Sequence, residues 1–187
     1  MPPKDTFDSP AYRPTARLLH WLIAALILLM IPAGQIMIVK GLPRGLQDAL
    51  FLFHKNAGVV IGLLMLVRLG FRLRYPPPPL PPSVAPLQAR IAGITHALLY
   101  LLVFVMVVSG YLRVMAGGFP IEGLDALGVP DLMGRNPGLE TVAKTTHAIT
   151  RLALVVLIGL HIGAALFHAL WLRDGVMARM VPRRSVK

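Results

Sequence analysis

The sequence predicts an all-α membrane protein, an antiparallel bundle of four transmembrane helices. Of its 187 residues, 56% are hydrophobic and only 14% are charged. Four apolar segments reach the roughly 20 residues that a helix needs to cross a bilayer. The length fits four spans and their loops as one domain. The chain has no cysteine, which excludes disulfides, covalently attached c-type haem and cysteine-ligated iron–sulfur clusters.

The predicted spans are joined by three connections of different character. Pro32 lies inside the first span, where neighbouring membrane helices can satisfy the freed carbonyl. Seven prolines between Pro76 and Pro86 exclude helix and strand from the second connection, which we expect to be stiff polyproline. The spans are predicted at residues 17–39, 50–71, 90–115 and 144–172, with a cytoplasmic connector at 72–89 and a periplasmic loop at 116–143.

The distribution of lysine and arginine predicts that both termini are cytoplasmic. Twelve of the nineteen basic residues fall in the two tails and the second connection, against three acidic residues. The net charge of +11 is therefore a positive-inside signature. We expect a multi-pass membrane protein that contacts the lipid bilayer and no nucleic acid. The twelve are Lys4, Arg13, Arg17, Arg68, Arg72, Arg74, Arg90, Arg173, Arg179, Arg183, Arg184 and Lys187.

Four histidines in the spans pair by depth. His147 and His161 are fourteen residues apart, which places both rings on one side of a helix and roughly 21 Å apart along it. His20 of the first span matches the depth of His161, and His54 of the second span matches that of His147. Ionisable residues in a membrane are costly and indicate function. Each pair predicts a six-coordinate haem, which suits electron transfer rather than oxygen binding.

Two further histidines mean that the sequence alone does not decide which residues form the cytoplasmic ligand pair. His96 begins the third span on the cytoplasmic side, and His168 follows His161 by seven residues on nearly the same helix face. Either could replace His20 or His161 as a ligand on geometry alone. We favour a role near the ligands or in contact with quinone, and the competing interpretation is that both are interfacial polar residues.

Basic residues near the histidines are candidates for binding haem propionates, which are carboxylates that need such partners when partly buried. The candidates are Arg17, Arg68 and Arg151. For Arg68 a positive-inside anchor is at least as good an interpretation. Arg151 lies further inside its apolar segment, which strengthens its assignment.

Glycines at four-residue spacing occur on two spans. Gly58 and Gly62 lie on the second span, and Gly159 and Gly163 lie on the fourth. This spacing is typical of close helix packing. Glycine equally makes room for a flat macrocycle.

The four segments together resemble the bacterial cytochrome b561 family, over roughly residues 13–184. The pieces that carry the resemblance are RLLHW, FHKNAGVVIGLLMLVRLGFRL, HALLYLLVFVMVVSGYL and KTTHAITRLALVVLIGLHIGAALFHALWLRDGVMARM. The resemblance implies a four-helix inner-membrane cytochrome with two haem b groups, which exchanges electrons with ubiquinone. It implies that the haem ligands are His20, His54, His147 and His161.

Part of this family is similar to superoxide oxidase, which takes an electron from superoxide at the periplasmic face and passes it to ubiquinone. That likeness implies a basic patch at the outer face and a quinone pocket at the inner face. The outer candidates are Lys55, Lys144 and Arg151. The quinone-pocket candidates are His96, His168, Trp171 and Arg173.

We therefore expect electron transfer through two b haems, from a periplasmic one-electron donor to ubiquinone, with superoxide as the favoured donor. One alternative keeps the haems but makes the chain an anchor subunit that passes electrons between a periplasmic dehydrogenase or hydrogenase and quinone. Another alternative is a non-redox transport or structural membrane protein, in which the histidines only bridge helices.

Overall fold

The computed structural model describes residues 11–181, and it confirms the predicted all-α fold. Four of its helices are long and apolar enough to cross a membrane, and no strand occurs between residues 11 and 181. The basic residues Lys4, Arg183, Arg184 and Lys187 lie outside the described residues. The helices are α1 (Pro14–Ile36), α2 (Arg44–Arg74), α3 (Pro86–Ala116), the short α4 (Glu122–Ala126) and α5 (Pro137–Phe167).

Three of the long helices begin with proline at the first helical position, where its fixed φ and missing N–H are favourable. The start of α5 shows the effect most clearly. Asn136 accepts a hydrogen bond from the Leu139 amide at 3.0 Å, so an asparagine cap and Pro137 together begin the helix seven residues before the predicted span. A helix that projects beyond the apolar segment explains this difference.

The end of α5 changes its winding. A π-helical turn continues α5 from His168 to Leu172. The chain then turns at Arg173, whose φ of 49° lies in the left-handed region. A short 3₁₀ turn follows at Met177–Arg179.

The long helices pack in sequence order, α1 on α2, α2 on α3 and α3 on α5. Large apolar side chains cover the outside, where Leu73, Ile149 and Leu152 are each at least two-thirds exposed. Such a surface suits lipid contact. Among the described residues, a cluster of buried side chains, which we call the core layer, is formed by Ile23, Ile61, Met65, Val103 and Leu154.

The described chain ends meet at one end of the bundle, which we call the terminal face. There the Tyr12 amide donates to the Arg179 carbonyl at 3.2 Å, and the buried Arg179 guanidinium donates to the Pro78 carbonyl at 2.6 Å. The indole of Trp21 donates to the Met180 carbonyl at 2.8 Å. The opposite end, formed by the connections at residues 37–43 and 117–136, is called the loop face.

Candidate functional site

The structure brings four histidines together as two facing pairs. His54 and His147, the loop-face pair, have ring centres 6.4 Å apart and planes at 73°. His20 and His161, the terminal-face pair, have ring centres 6.3 Å apart and planes at 77°. Two imidazoles on opposite sides of one metal ion, with bonds of about 2.0 Å, have ring centres roughly 6 Å apart. Both pairs match that separation.

The buried core layer separates the two pairs. Leu154 belongs to that layer and stands seven residues from both His147 and His161 on α5. A helix rises about 1.5 Å per residue, so each ring lies roughly 10 Å along the axis from Leu154. The bundle therefore has one imidazole pair on each side of an apolar centre.

The ring of His147 is held by two acceptors from α3. Its Nδ1 lies 3.1 Å from the Met106 carbonyl oxygen and 3.3 Å from the Ser109 hydroxyl. A carbonyl only accepts, so the Nδ1–H donates and the Nε2 lone pair remains free to bind a metal. Gly110 packs against the same ring, and a Cβ there would lie 3.1 Å from His147 Cε1.

The ring of His54 has a different environment. Its Nδ1 is buried and has no hydrogen-bond partner of normal geometry among the described residues. On α1, Gly34 faces the ring so closely that a Cβ would lie 2.8 Å from His54 Cε1. A glycine is thus required beside each ring of the loop-face pair.

A cavity of about 1300 Å³ contains both rings of the loop-face pair. This exceeds the volume of about 300–1,000 Å³ that is usual for ligand pockets. Its wall includes four glycines and is otherwise mostly apolar, with charged side chains toward the loop face. The facing imidazoles, the free Nε2 of His147 and the large apolar volume fit a haem group. The four wall glycines are Gly34, Gly58, Gly62 and Gly110.

The terminal-face pair has a third histidine beside it. The ring centre of His96 lies 5.4 Å from that of His161, in an edge-to-face contact. That separation is too short for two ligands on opposite sides of one metal ion, whereas the 6.3 Å between His20 and His161 fits. His96 therefore neighbours the ligand candidates, and His20 remains the better partner for His161.

Of the propionate candidates, Arg68 reaches the terminal-face pair. Its guanidinium donates to the Ala16 carbonyl at 2.9 Å, and its Nη2 lies 3.4 Å from His20 Nδ1. Arginine is only a donor, so in this contact His20 Nδ1 is the acceptor. Arg17, by contrast, donates to the Val181 carbonyl at 3.0 Å and fastens the C-terminal segment to α1.

The outer cation candidates differ in their partners. Lys55 Nζ donates to Glu122 Oε1 at 2.6 Å and to the Pro120 carbonyl at 2.7 Å, so its charge is neutralised. Lys144 and Arg151 line the cavity and have no hydrogen bond to another described residue. They are the cations that an anion in the cavity would meet.

A further cation of the site, Arg113, was not predicted from the sequence. It lies in the last turn of α3, lines the cavity and interacts electrostatically with both His54 and His147. One signal was available, because Arg113 is the single charged residue after Arg90 in the apolar stretch that ends α3. Its proximity to the loop-face pair depends on the packing of α3, which the sequence does not reveal.

The quinone-pocket candidates are not one cluster. His168 Nδ1 pairs with Asp174 Oδ2 at 2.5 Å, and the Asp174 side chain is 7% exposed. Trp171 is 79% exposed. Arg173 Nε donates to the Leu170 carbonyl at 3.2 Å, while His96 lies against His161 instead.

Comparison with known proteins gives a consistent set of relatives. The family model described as "Prokaryotic cytochrome b561" matches residues 11–183. A Yersinia pestis protein named "Probable superoxide oxidase CybB" is 30% identical over 167 residues, which cover 89% of this chain and 93% of that protein. "Cytochrome b561 homolog 2" of Escherichia coli (strain K12) is 30% identical over 166 residues, 89% of this chain and 88% of the relative. "Cytochrome b561 homolog 1" of the same organism is 28% identical over 170 residues, covering 94% of its length.

Proposed function

The chain belongs to the prokaryotic cytochrome b561 family, and we propose that it holds two haem b groups and passes electrons from superoxide to ubiquinone. Family membership makes it a membrane electron-transfer protein with haem b. The observation that carries the finer proposal is the pairing of four histidines at two depths, with ring centres 6.4 Å and 6.3 Å apart. One haem would lie between each pair.

The protein supplies ligation, orientation and charge, while haem iron supplies reversible one-electron transfer. At the loop-face pair, His147 already presents Nε2 because Met106 and Ser109 hold its Nδ1–H. At the terminal-face pair, ligation through His20 Nε2 requires a proton on Nδ1, which the guanidinium of Arg68 would then repel. Arg68 would turn from the ring and become available to a haem propionate.

The proposed electron donor is superoxide at the loop face. One relative, 30% identical, is named a probable superoxide oxidase. Arg113, Lys144 and Arg151 line the loop-face cavity, and positive charge there would attract a small anion. Two superoxide anions would each lose one electron to form oxygen, and one ubiquinone would take up two electrons and two protons.

Ubiquinone is proposed to react at the terminal face, near His168 and Arg173. His168 is held by Asp174, whose other oxygen accepts from the Val176 amide at 3.1 Å. This pair gives the terminal face a fixed imidazole beside the left-handed turn at Arg173. Protonated on both ring nitrogens, His168 would donate its Nε2–H to a quinone carbonyl, while Asp174 keeps the ring oriented.

The orientation of the bundle follows from charge. Among the described residues, the half of the bundle toward the terminal face carries eight arginines against one acidic residue, Asp174, while the half toward the loop face carries seven basic and five acidic residues. Lysine and arginine favour the cytoplasmic side. We therefore place the terminal face in the cytoplasm and the loop face in the periplasm. The eight are Arg13, Arg17, Arg68, Arg72, Arg74, Arg90, Arg173 and Arg179.

A second function is favoured by one observation on the loop face. Phe119, Leu127 and Leu132 are 61%, 80% and 72% exposed in the connection between α3 and α5. Exposed apolar side chains on a loop are typical of protein contacts. In this alternative the chain anchors a periplasmic dehydrogenase or hydrogenase and receives its electrons.

The test begins with the purified full-length chain. Pyridine haemochrome analysis should give two b haems per chain, and no haem in haem-replete protein would exclude the redox proposal. Superoxide generated enzymatically should then reduce the haems and added ubiquinone. A chain that binds two haems, is not reduced by superoxide and co-purifies with a stable soluble subunit would instead support the anchor function.

A further inference from the structure

The two ligand candidates of the loop-face pair differ in the hydrogen bonding of their Nδ1 atoms. His147 Nδ1 has the Met106 carbonyl at 3.1 Å and the Ser109 hydroxyl at 3.3 Å. His54 Nδ1 is buried and has no hydrogen-bond partner of normal geometry within residues 11–181. On one side of the proposed haem, two close acceptors would hold the imidazole of His147. On the other side, the Met30 backbone lies near the His54 ring but forms no hydrogen bond of normal geometry with it.

The Ser109 side chain is fixed by its own contacts. It is 4% exposed, and its hydroxyl donates to the Met106 carbonyl at 3.2 Å, a local bond within α3. With the hydroxyl hydrogen directed at Met106, the oxygen lone pairs remain for the His147 Nδ1–H. Serine in this rotamer therefore acts only as an acceptor toward the imidazole.

We propose that Ser109 is a positioning residue that, beside the Met106 carbonyl, holds the ring angle of His147 and lowers the reduction potential of the loop-face haem. The inference rests on the proposed function, because it requires a haem between His54 and His147. Accepting a hydrogen bond from Nδ1–H makes the imidazole more basic, which favours ferric over ferrous iron.

Gly110 adds a steric constraint to this contact. A Cβ at Gly110 would lie 3.1 Å from His147 Cε1 and 3.4 Å from Nδ1, so the ring packs directly on the α3 backbone. The ring consequently has little space to rotate away from Ser109. The pairing of a serine acceptor with the next-residue glycine explains why this side of α3 holds the imidazole.

The experiment uses the full-length haem-loaded chain with Ser109→Ala, Ser109→Thr and Thr150→Val. Thr150 is the matched control, because its hydroxyl is also buried, at 5% exposure, and lies three residues after His147 without a hydrogen bond to any described histidine. The measurements are spectroelectrochemical midpoint potentials and the rate of haem loss to apomyoglobin. Repeating Ser109→Ala in a His20→Ala background assigns the change to one haem.

Ser109→Ala should raise the potential of one haem and accelerate loss of that haem about tenfold, the usual lower limit for removing a residue that orients a metal ligand. Ser109→Thr keeps the hydroxyl and should restore both values, while Thr150→Val should change neither. Unchanged potentials in Ser109→Ala, or an equal shift in Thr150→Val, would overturn the inference. If the Ser109→Thr variant does not bind haem, the comparison of Ser109→Ala with Thr150→Val tests the role of Ser109.

The two levels of the proposal fail in different ways. A chain without haem contradicts the proposed function itself. A chain with two haems and potentials that do not respond to Ser109→Ala leaves the proposed function standing and contradicts only the role of Ser109.

Discussion

Lys55 and Glu122 form an ion pair of 2.6 Å that ties the loop face to α2, one residue after His54. Asn56 completes the attachment, donating to Glu122 Oε2 at 3.1 Å and accepting from the Gly123 amide at 2.7 Å. The buried Ile121 lies between these contacts and lines the cavity. Short helix α4 is therefore held over the proposed haem site by charge and hydrogen bonds.

Removing the charge of Glu122 should speed the reaction with superoxide. Glu122→Gln leaves Lys55 uncompensated, so the cavity mouth becomes more positive and attracts an anion more strongly. We expect the second-order rate constant at low salt to rise about twofold, with the difference lost at about 1 M salt, where the screening length is roughly 3 Å. Stopped-flow reduction of the haems by superoxide measures it.

The control for that variant is Asp125→Asn. Asp125 lies on the same short helix, is exposed and does not contact Lys55. Asp125→Asn changes the net charge by the same amount as Glu122→Gln, so its effect on the rate measures only the change in the overall electrostatic field. A rate for Glu122→Gln no higher than for Asp125→Asn would contradict a local role of Lys55.

The attachment of α4 should weaken in acid. Partial burial raises the pKa of Glu122, but hydrogen bonds from Lys55 and Asn56 outweigh it, so this pKa lies below its ordinary value. A lowered folded-state pKa means that the stabilisation is fully present above the ordinary carboxyl pKa of about 4.3. It is lost as pH falls through the folded-state pKa.

Limited proteolysis of the connection at residues 117–136 tests this pH dependence. At neutral pH the wild-type connection should be cleaved more slowly than that of Glu122→Gln, and the two rates should converge as the pH falls through the lowered folded-state pKa of Glu122. Comparison at equal pH removes the pH dependence of the protease. Equal cleavage of both proteins at neutral pH would show that Glu122 does not hold α4.

Much of the fold could be predicted from the sequence, because each long helix is marked by an uninterrupted apolar segment. The ends of the helices were harder to predict from the sequence. The helix α5 begins at Pro137 and α2 at Arg44, both six or more residues before the predicted spans, because polar helical turns project beyond the apolar part. The sequence contains the cap at Asn136, but the extent of an apolar segment does not reveal it.

The histidine pairing illustrates what spacing reveals and what it leaves out. Fourteen residues between His147 and His161 fix their shared face and their depths, since helix geometry is constant. Spacing alone could not separate His20 from His96, because both lie at the terminal-face end of their helices. Ring separations of 6.3 Å and 5.4 Å from His161 distinguish them.

That distinction predicts opposite results for two similar substitutions. His20→Ala should reduce the haem content from two to one per chain, while His96→Ala should leave two. Both residues contact the same partner, His161, so each variant is the control for the other. Pyridine haemochrome with quantified protein measures the ratio. Loss of a haem in His96→Ala, with two retained in His20→Ala, would exchange their roles.

Glycine substitutions should separate packing against imidazole from packing between helices. Alanine at Gly34 would place Cβ 2.8 Å from His54 Cε1, so Gly34→Ala should displace the ring and lower occupancy of the loop-face haem. Gly159 has no neighbouring atom within 4 Å of such a Cβ, although it shares the spacing of a helix-packing motif with Gly163. Gly159→Ala should therefore keep both haems and stabilise α5 by about 0.5–1 kcal/mol, because alanine is the better helix former. Haem content and thermal unfolding of the two variants measure these effects, and equal haem content would show that Gly34 does not shape the site.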